Sequence, residues 1–133
     1  MDTIEILLPE TKTATELFPE MMVEEAGYTF VHCLAYPSRQ YTAEWWVNIW
    51  RTTFLVDTIT GDSLELLFAD KIPYAPDRHY FKHINDTKTF LLVFTKIPKT
   101  WRSFHVIEKS NDGDCFETKY IQRNDSGVYY INL

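Results

Sequence analysis

One run rich in aromatic and β-branched residues, Trp45–Asp57, constrains the fold more than any other feature. It contains three tryptophans and has no glycine or proline inside it. Such side chains crowd a helix but fit the pleated surface of a sheet. A turn-forming cluster, Asp57–Asp62, follows directly, and a second apolar run begins at Leu64. The order predicts a strand, a turn and another strand.

The same design recurs along the remaining chain, where short apolar stretches alternate with clusters of Gly, Pro, Asn, Asp and Ser that favour turns. Strands are predicted at Tyr28–Tyr36, Trp45–Asp57, Leu64–Phe68, Tyr80–Ile84, Thr89–Thr95, Ser103–Lys109, Phe116–Gln122 and Val128–Leu133. Short strands at this spacing, without a long helical pattern between them, are typical of antiparallel sandwiches and barrels. We therefore predict an all-β fold, an antiparallel sandwich of seven to eight strands.

Alternation along the strands predicts which side chains face the core. The inward sets are Leu64, Leu66 and Phe68 in one strand and Phe116 with Tyr120 in another. The run Phe90–Phe94 is apolar on both faces, so we expect it to lie in the middle of a sheet that is covered on both sides.

The charge is distributed unevenly along the chain. The net charge is −6, and residues 1–27 hold seven acids and one base, whereas residues 28–133 hold twelve of each. A nucleic-acid binder needs a basic surface to displace counterions from phosphate. The sequence offers none, so a nucleic-acid partner is not expected.

The same asymmetry divides the chain into an acidic N-terminal arm, 1–27, and a β-sandwich domain, 28–133. The arm is predicted to be partly ordered, because Leu17, Phe18 and Met22 would gain from packing on the domain. A short helical turn after Pro19 and a mobile tail are the alternatives.

Two further patterns bear on location. No apolar run approaches the ~20 residues of a membrane span, so membrane insertion is not predicted. The start Met1–Glu5 lacks a basic region followed by an apolar segment. The default expectation is the cytoplasm, although a trimmed start would remove that argument.

Several of these strand and turn residues together carry a family resemblance that covers roughly Thr53 to Glu108. They are Thr53–Asp57, Thr60-Gly61, Ile72-Pro73, Phe90–Phe94, Ile97-Pro98, Phe104 and Ile107-Glu108. This pattern resembles a group of small, uncharacterised bacterial proteins and domains expected to be immunoglobulin-like β-sandwiches. The resemblance implies an immunoglobulin-like sandwich here, and it carries over no catalytic or binding residue.

The residues that usually carry chemistry do not form a recognisable set. His79 and His83 would lie roughly 13 Å apart on one face of a strand, too far to share an ion. Neither Cys33 nor Cys115 lies at the N-terminus of a predicted helix, and two cysteines do not decide between a disulfide and free thiols. No serine lies in a nucleophile-elbow motif, and no glycine-rich phosphate loop exists. We predict no catalytic residue, no metal site, no cofactor and no enzyme.

The strongest functional indication is the alternation within the opening run. If Trp45, Val47 and Ile49 enter the core, then Trp46, Asn48 and Trp50 face outward. Exposed tryptophans beside an amide can anchor a protein partner or stack on a sugar ring. The alternative is that they lie buried beneath a neighbouring loop, as large apolar side chains usually do.

We therefore predict a non-catalytic binding or interaction module. A protein partner, with homodimerisation as one form, is the leading hypothesis. A carbohydrate-binding module that uses the exposed tryptophans is the alternative. A small hydrolase is disfavoured, because it would need a convergent cluster of histidines and carboxylates.

Overall fold

The structure, a computed structural model, describes residues 27–37, 45–110 and 116–133. These ranges contain no helix and nine strands: β1 (Tyr28–Ala35), β2 (Trp46–Val47), β3 (Thr53–Asp57), β4 (Ser63–Asp70), β5 (His79–Tyr80), β6 (Lys88–Thr95), β7 (Ser103–Glu108), β8 (Glu117–Gln122) and β9 (Val128–Asn132). Accordingly, no helix in the described ranges could cross a membrane. The all-β prediction is confirmed.

Seven of the strands form one sheet in the order β8-β7-β3-β4-β6-β1-β9, while β2 and β5 form a separate pair. Neighbours in the large sheet are antiparallel except β1 and β9, which are parallel. The two edge strands, β8 and β9, are joined by the short link 123–127. That link keeps the two edges close at one end, so the sheet curls until it is nearly a barrel.

Strand β4 joins the two halves of this curled sheet. Its first part pairs with β3, through Leu64 opposite Leu55, and its second part pairs with β6, through Phe68 opposite Val93. A register shift separates the two parts. The two-sheet immunoglobulin-like arrangement itself is not confirmed, because hydrogen bonds join the seven strands into one sheet.

The main core lies on the concave side of the sheet. Phe94, Phe104, Leu55, Leu92 and Val106 are each 0% exposed there. Burying one such side chain contributes about 1.5–3 kcal/mol. Residues Phe90–Phe94 are buried in succession, and β6 lies between β4 and β1. The prediction of a central strand covered on both faces is confirmed.

Two bulges overturn the predicted alternation. Leu64 and Leu66 pack on the main core, but the register shift after Leu66 turns Phe68 to the opposite face. In β8 a shift opposite β7 makes Ile121 the partner of Phe104 and leaves Tyr120 67% exposed at φ +59°. The extra residue in a bulge reverses the alternation of every side chain that follows it.

The predicted strand Trp45–Asp57 is wrong in its length, because the structure divides it into β2 and β3. The Trp50 N–H donates to a carboxylate oxygen of Glu108, and the Trp50 carbonyl accepts from the Thr53 hydroxyl. Side chains therefore satisfy the backbone groups that a continuous strand would pair. Strand β5 is likewise shorter than predicted, because the Asp86 carboxylate accepts the N–H groups of Lys82 and His83 in a turn.

The predicted N-terminal arm, 1–27, lies outside the described residues except for Gly27. Cys115 also lies outside them. The remainder of the predicted domain, from Tyr28 onward, contains all nine strands.

Candidate functional site

The segment 45–50 has an inward side and an outward side. Trp45 and Val47 pack against the main core, and Ile49 is 0% exposed. Trp46, Asn48 and Trp50 alternate with them and are half-buried. Alternation therefore places the three predicted site residues on the side away from the main core.

Backbone hydrogen bonds to the segment 73–81 hold this segment in an extended shape. Ile49 donates to the Pro73 carbonyl at 3.1 Å, and its own carbonyl accepts from Ala75 at 2.9 Å. Phe81 donates to the Trp45 carbonyl at 2.9 Å. Both ends of the segment are therefore fixed to the same neighbouring stretch of chain.

Trp46 is contacted from two directions by that stretch. The Arg78 guanidinium lies 4.1 Å from the centroid of the Trp46 ring, within the range of a cation–π interaction. Tyr80 is directly opposite Trp46 in the β2–β5 pair, so the two rings share a face, and Tyr80 is 50% exposed. An indole, a phenol and a guanidinium are thus gathered at one place on the surface.

Asn48 and Trp50 are held by polar contacts that reach different parts of the chain. The Asn48 side-chain amide donates to the Asp77 carbonyl at 2.8 Å. The Trp50 N–H donates to Glu108 Oε2 at 2.8 Å, while Glu108 Oε1 accepts from Phe116 N–H at 3.2 Å. Glu108 is 4% exposed. Its buried carboxyl group therefore connects the backbone of Trp50 to that of Phe116, the residue that precedes β8.

We call the five side chains Trp46, Asn48, Trp50, Arg78 and Tyr80 the Trp46 surface. It combines two indoles, a phenol, an amide and a guanidinium, and it includes no carboxylate, thiol or imidazole. These groups can stack, donate hydrogen bonds and attract anions. Chemically they are suited to binding and orienting a partner.

The two histidines considered as metal ligands, His79 and His83, do not belong to the Trp46 surface. His79 is partly buried, packs edge-on against Phe81 with ring centroids 5.4 Å apart, and has its pKa lowered by burial and then by Lys88. His83 is exposed in the turn closed by Asp86. Among the described residues, no three His, Cys, Asp or Glu side chains come together as a potential metal site.

Cys33 lies in the main core at 2% exposure, and burial raises the pKa of its thiol well above the usual range. A thiolate nucleophile needs a lowered pKa and access to solvent. The environment of Cys33 gives it a packing role.

Three of the five residues of the Trp46 surface are the predicted site residues, and the other two, Arg78 and Tyr80, were not predicted from the sequence. Their proximity depends on the pairing of β2 with β5, and these strands are separated in the chain by β3 and β4. The sequence contained one indication, since Arg78 and Tyr80 alternate around His79 where the predicted strand Tyr80–Ile84 begins after Arg78-His79.

Comparisons with known proteins give no relative for this fold or this surface. The chain matches no protein-family model, and no curated protein and no solved structure is significantly similar to it. The geometry of the Trp46 surface is therefore the basis for a functional proposal.

Proposed function

We propose that this protein is a non-catalytic interaction module that binds a protein partner through the Trp46 surface. The observation that carries the proposal is the Arg78 guanidinium over the half-buried Trp46 ring, next to the half-exposed Tyr80. Trp, Tyr and Arg are the residues most enriched among interface hot spots. The interaction needs no cofactor.

The contacts within the surface favour binding because they fix the side chains in advance. Immobilising a rotamer-rich side chain at an interface costs about 0.5–1.5 kcal/mol. Arg78 is already restrained by Trp46, and Asn48 is already restrained by the Asp77 carbonyl. A partner that meets this surface therefore loses less affinity to side-chain ordering.

The same contacts argue against the carbohydrate alternative. A sugar ring stacks on an open indole face, but Arg78 covers one face of Trp46. The amide of Asn48, which would donate to a sugar hydroxyl, is committed to Asp77. A protein partner can instead contact the guanidinium, the indole edges and the phenol together. A second copy of this chain is one such partner.

The immunoglobulin-like sandwich remains part of the proposal as the finer description of the fold. Its support is the shared strand β4, whose two parts pair with β3 and with β6 on either side of a register shift. Strands on the two sides of that shift contribute to one core, as in packed sandwiches.

The test is the double substitution Trp46→Ser with Trp50→Ser in the full chain. We expect a modest loss of stability, about 1–2 kcal/mol, because both side chains are half-buried. Sedimentation over a range of concentrations tests self-association. A photo-crosslinking residue at Tyr80 followed by mass spectrometry identifies a different partner. Dimerisation or a specific crosslink should disappear in the double variant.

The matched control is Ile59→Ser, which removes a 77% exposed apolar side chain from the β3–β4 turn. It should leave association and crosslinking unchanged. Association that survives in the double variant contradicts the proposal, and so does a tryptophan-fluorescence response to oligosaccharides. Complete unfolding of the double variant would place both tryptophans in the core and remove the proposed site.

A further inference from the structure

One end of the curled sheet contains a polar cavity of about 130 Å³. It lies where β1 begins, just after β6 ends, and beside the link 123–127 that joins β8 to β9. A single buried water needs roughly 10–15 Å³, whereas pockets for drug-sized ligands hold about 300–1,000 Å³. The cavity therefore has room for a small polyatomic molecule. Ligand sites are common in such mouths of barrel-like sheets.

The inner part of the cavity presents a buried hydroxyl group. Thr29 is 1% exposed, and its Oγ1 accepts a hydrogen bond from the Ile97 N–H at 3.2 Å. A hydroxyl group is also a donor, and no acceptor for this donor lies among the described residues. A buried donor without an acceptor costs free energy. A ligand oxygen in the cavity would supply the acceptor.

Two cations line the same cavity, and neither forms an ion pair with a carboxylate in the described ranges. The Arg123 guanidinium is held by backbone carbonyl groups, because its Nη1 donates to Pro98 at 2.6 Å and to Trp101 at 3.4 Å. Its other nitrogens carry further N–H donors, which remain for a ligand. Lys96, which is exposed, brings the second positive charge.

The charge of the lining is positive even when its acidic member is counted. Asp125 is the one carboxylate in the lining, and it is exposed. Two cations against one carboxylate leave an excess of one positive charge, in a chain whose net charge is −6. A cleft with an excess of one sign of charge attracts ions of the other sign. The expected ligand is therefore an anion.

The wall of the cavity formed by the link 123–127 is fixed by Asn124. The Asn124 Oδ1 accepts from the N–H groups of Ser126 at 2.9 Å and Gly127 at 3.2 Å, as in other turns closed by asparagine. The Asn124 N–H donates to the Tyr129 hydroxyl at 3.1 Å. Because these contacts already hold the link, a ligand loses little affinity to ordering it.

We propose that this cavity binds a phosphate group, either as inorganic phosphate or as the phosphate of a small phosphomonoester. The Thr29 hydroxyl, the Arg123 guanidinium and the Lys96 ammonium group are donors on three different parts of the chain. A phosphate group has three strong acceptor oxygens, one for each donor, whereas a carboxylate has two. The inference is independent of the proposed function, because no residue of the Trp46 surface lines the cavity.

The first test is a titration of the full chain with inorganic phosphate at constant ionic strength, followed through the amide NMR signals of Thr29 and Gly127. We expect both signals to shift and to saturate. A parallel titration with glycerol 3-phosphate shows which source the site prefers, since the preferred one should saturate at the lower concentration. Acetate should bind more weakly than both. Shifts that saturate with neither phosphate compound overturn the proposal, and so does tighter binding of acetate.

The second test compares two lysines. Lys96→Gln should weaken phosphate binding about threefold or more, as expected for an exposed charge. The matched control is Lys99→Gln, which removes the same charge from an exposed lysine outside the lining and should leave binding unchanged. Equal effects of the two substitutions would show that only the overall charge matters and would overturn the proposal. Asp125→Asn should tighten binding, and weaker binding by that variant would contradict the assignment to an anion.

The third test concerns the buried hydroxyl group. Thr29→Val keeps the shape of the side chain and should weaken phosphate binding about tenfold or more, because a hydrogen bond to a charged acceptor is lost. Thr29→Ser keeps the hydroxyl group and should bind nearly as tightly as the unaltered chain. Equal binding by the two variants would remove Thr29 from the site and overturn the proposed donor set. If Thr29→Val fails to fold, the comparison of the two lysines still decides.

Discussion

The two sides of the segment 45–50 are held in different ways. On the inward side, Ile49 is fully buried and Trp45 and Val47 pack against the main core. On the outward side the contacts are directed: Trp46 with Arg78, Asn48 with Asp77, and the Trp50 backbone with Glu108.

The difference shows two ways in which the side chains of one short segment can be held in place. Hydrophobic burial has no direction and grows with the area removed from water. A hydrogen bond or a cation–π contact nets about 1 kcal/mol but fixes an orientation. The inward side therefore supplies most of the stabilisation, whereas the outward side supplies a surface of defined shape.

The largest effect is expected for Ile49→Ala, on the inward side. Emptying a fully buried isoleucine site should lower the free energy of unfolding by about 2–5 kcal/mol, as transfer and cavity costs add. Urea denaturation measures this loss. A decrease in the free energy of unfolding below ~1 kcal/mol would contradict the conclusion that the inward side supplies most of the stabilisation.

A smaller effect is expected for substitutions of Glu108, whose buried carboxyl group accepts a hydrogen bond from the Trp50 backbone. Glu108→Ala removes the acceptor of two backbone N–H groups and should cost about 2–3 kcal/mol. Glu108→Gln keeps one carbonyl acceptor and should retain part of that stability. Comparing the two variants by thermal unfolding separates the loss of hydrogen bonds from the loss of charge, and equal losses would refute the hydrogen-bond explanation.

The smallest effect is expected for Asn48→Ala, one residue away from Ile49. It removes one solvent-exposed hydrogen bond, to Asp77, and should cost ~1 kcal/mol or less. The loss in the free energy of partner binding should exceed the loss in the free energy of unfolding, because the amide also helps to fix the Trp46 surface. Chemical denaturation and crosslinking at Tyr80 provide the two measurements, and a stability loss as large as that of Ile49→Ala would contradict the assignment of the two sides.

Much of the strand content could be predicted from the sequence, because alternation and turn residues are local signals. Strand β6 is the clearest example. Its five consecutive apolar residues, Phe90–Phe94, have no polar side to present to water, and the structure places them in the centre of the sheet.

The faces of β4 and β8 could not be predicted in the same way. A bulge adds a residue only when two strands pair, so the sequence of one strand does not reveal it. Phe68 consequently packs on the side of the sheet opposite the main core, and Tyr120 is exposed to solvent. The same limit applies to the Trp46 surface, where alternation predicted Trp46, Asn48 and Trp50 but not the partners supplied by strand β5.

The sequence by itself determined the all-β class and most strand positions. These follow from the steric preferences of β-branched and aromatic side chains and from the need to remove apolar surface from water. Tertiary structure alone decided the order of strands, the two bulges, and the approach of Arg78 and Tyr80 to Trp46. Those outcomes depend on pairings between residues far apart in the chain, and the energies that select them arise only once the strands meet.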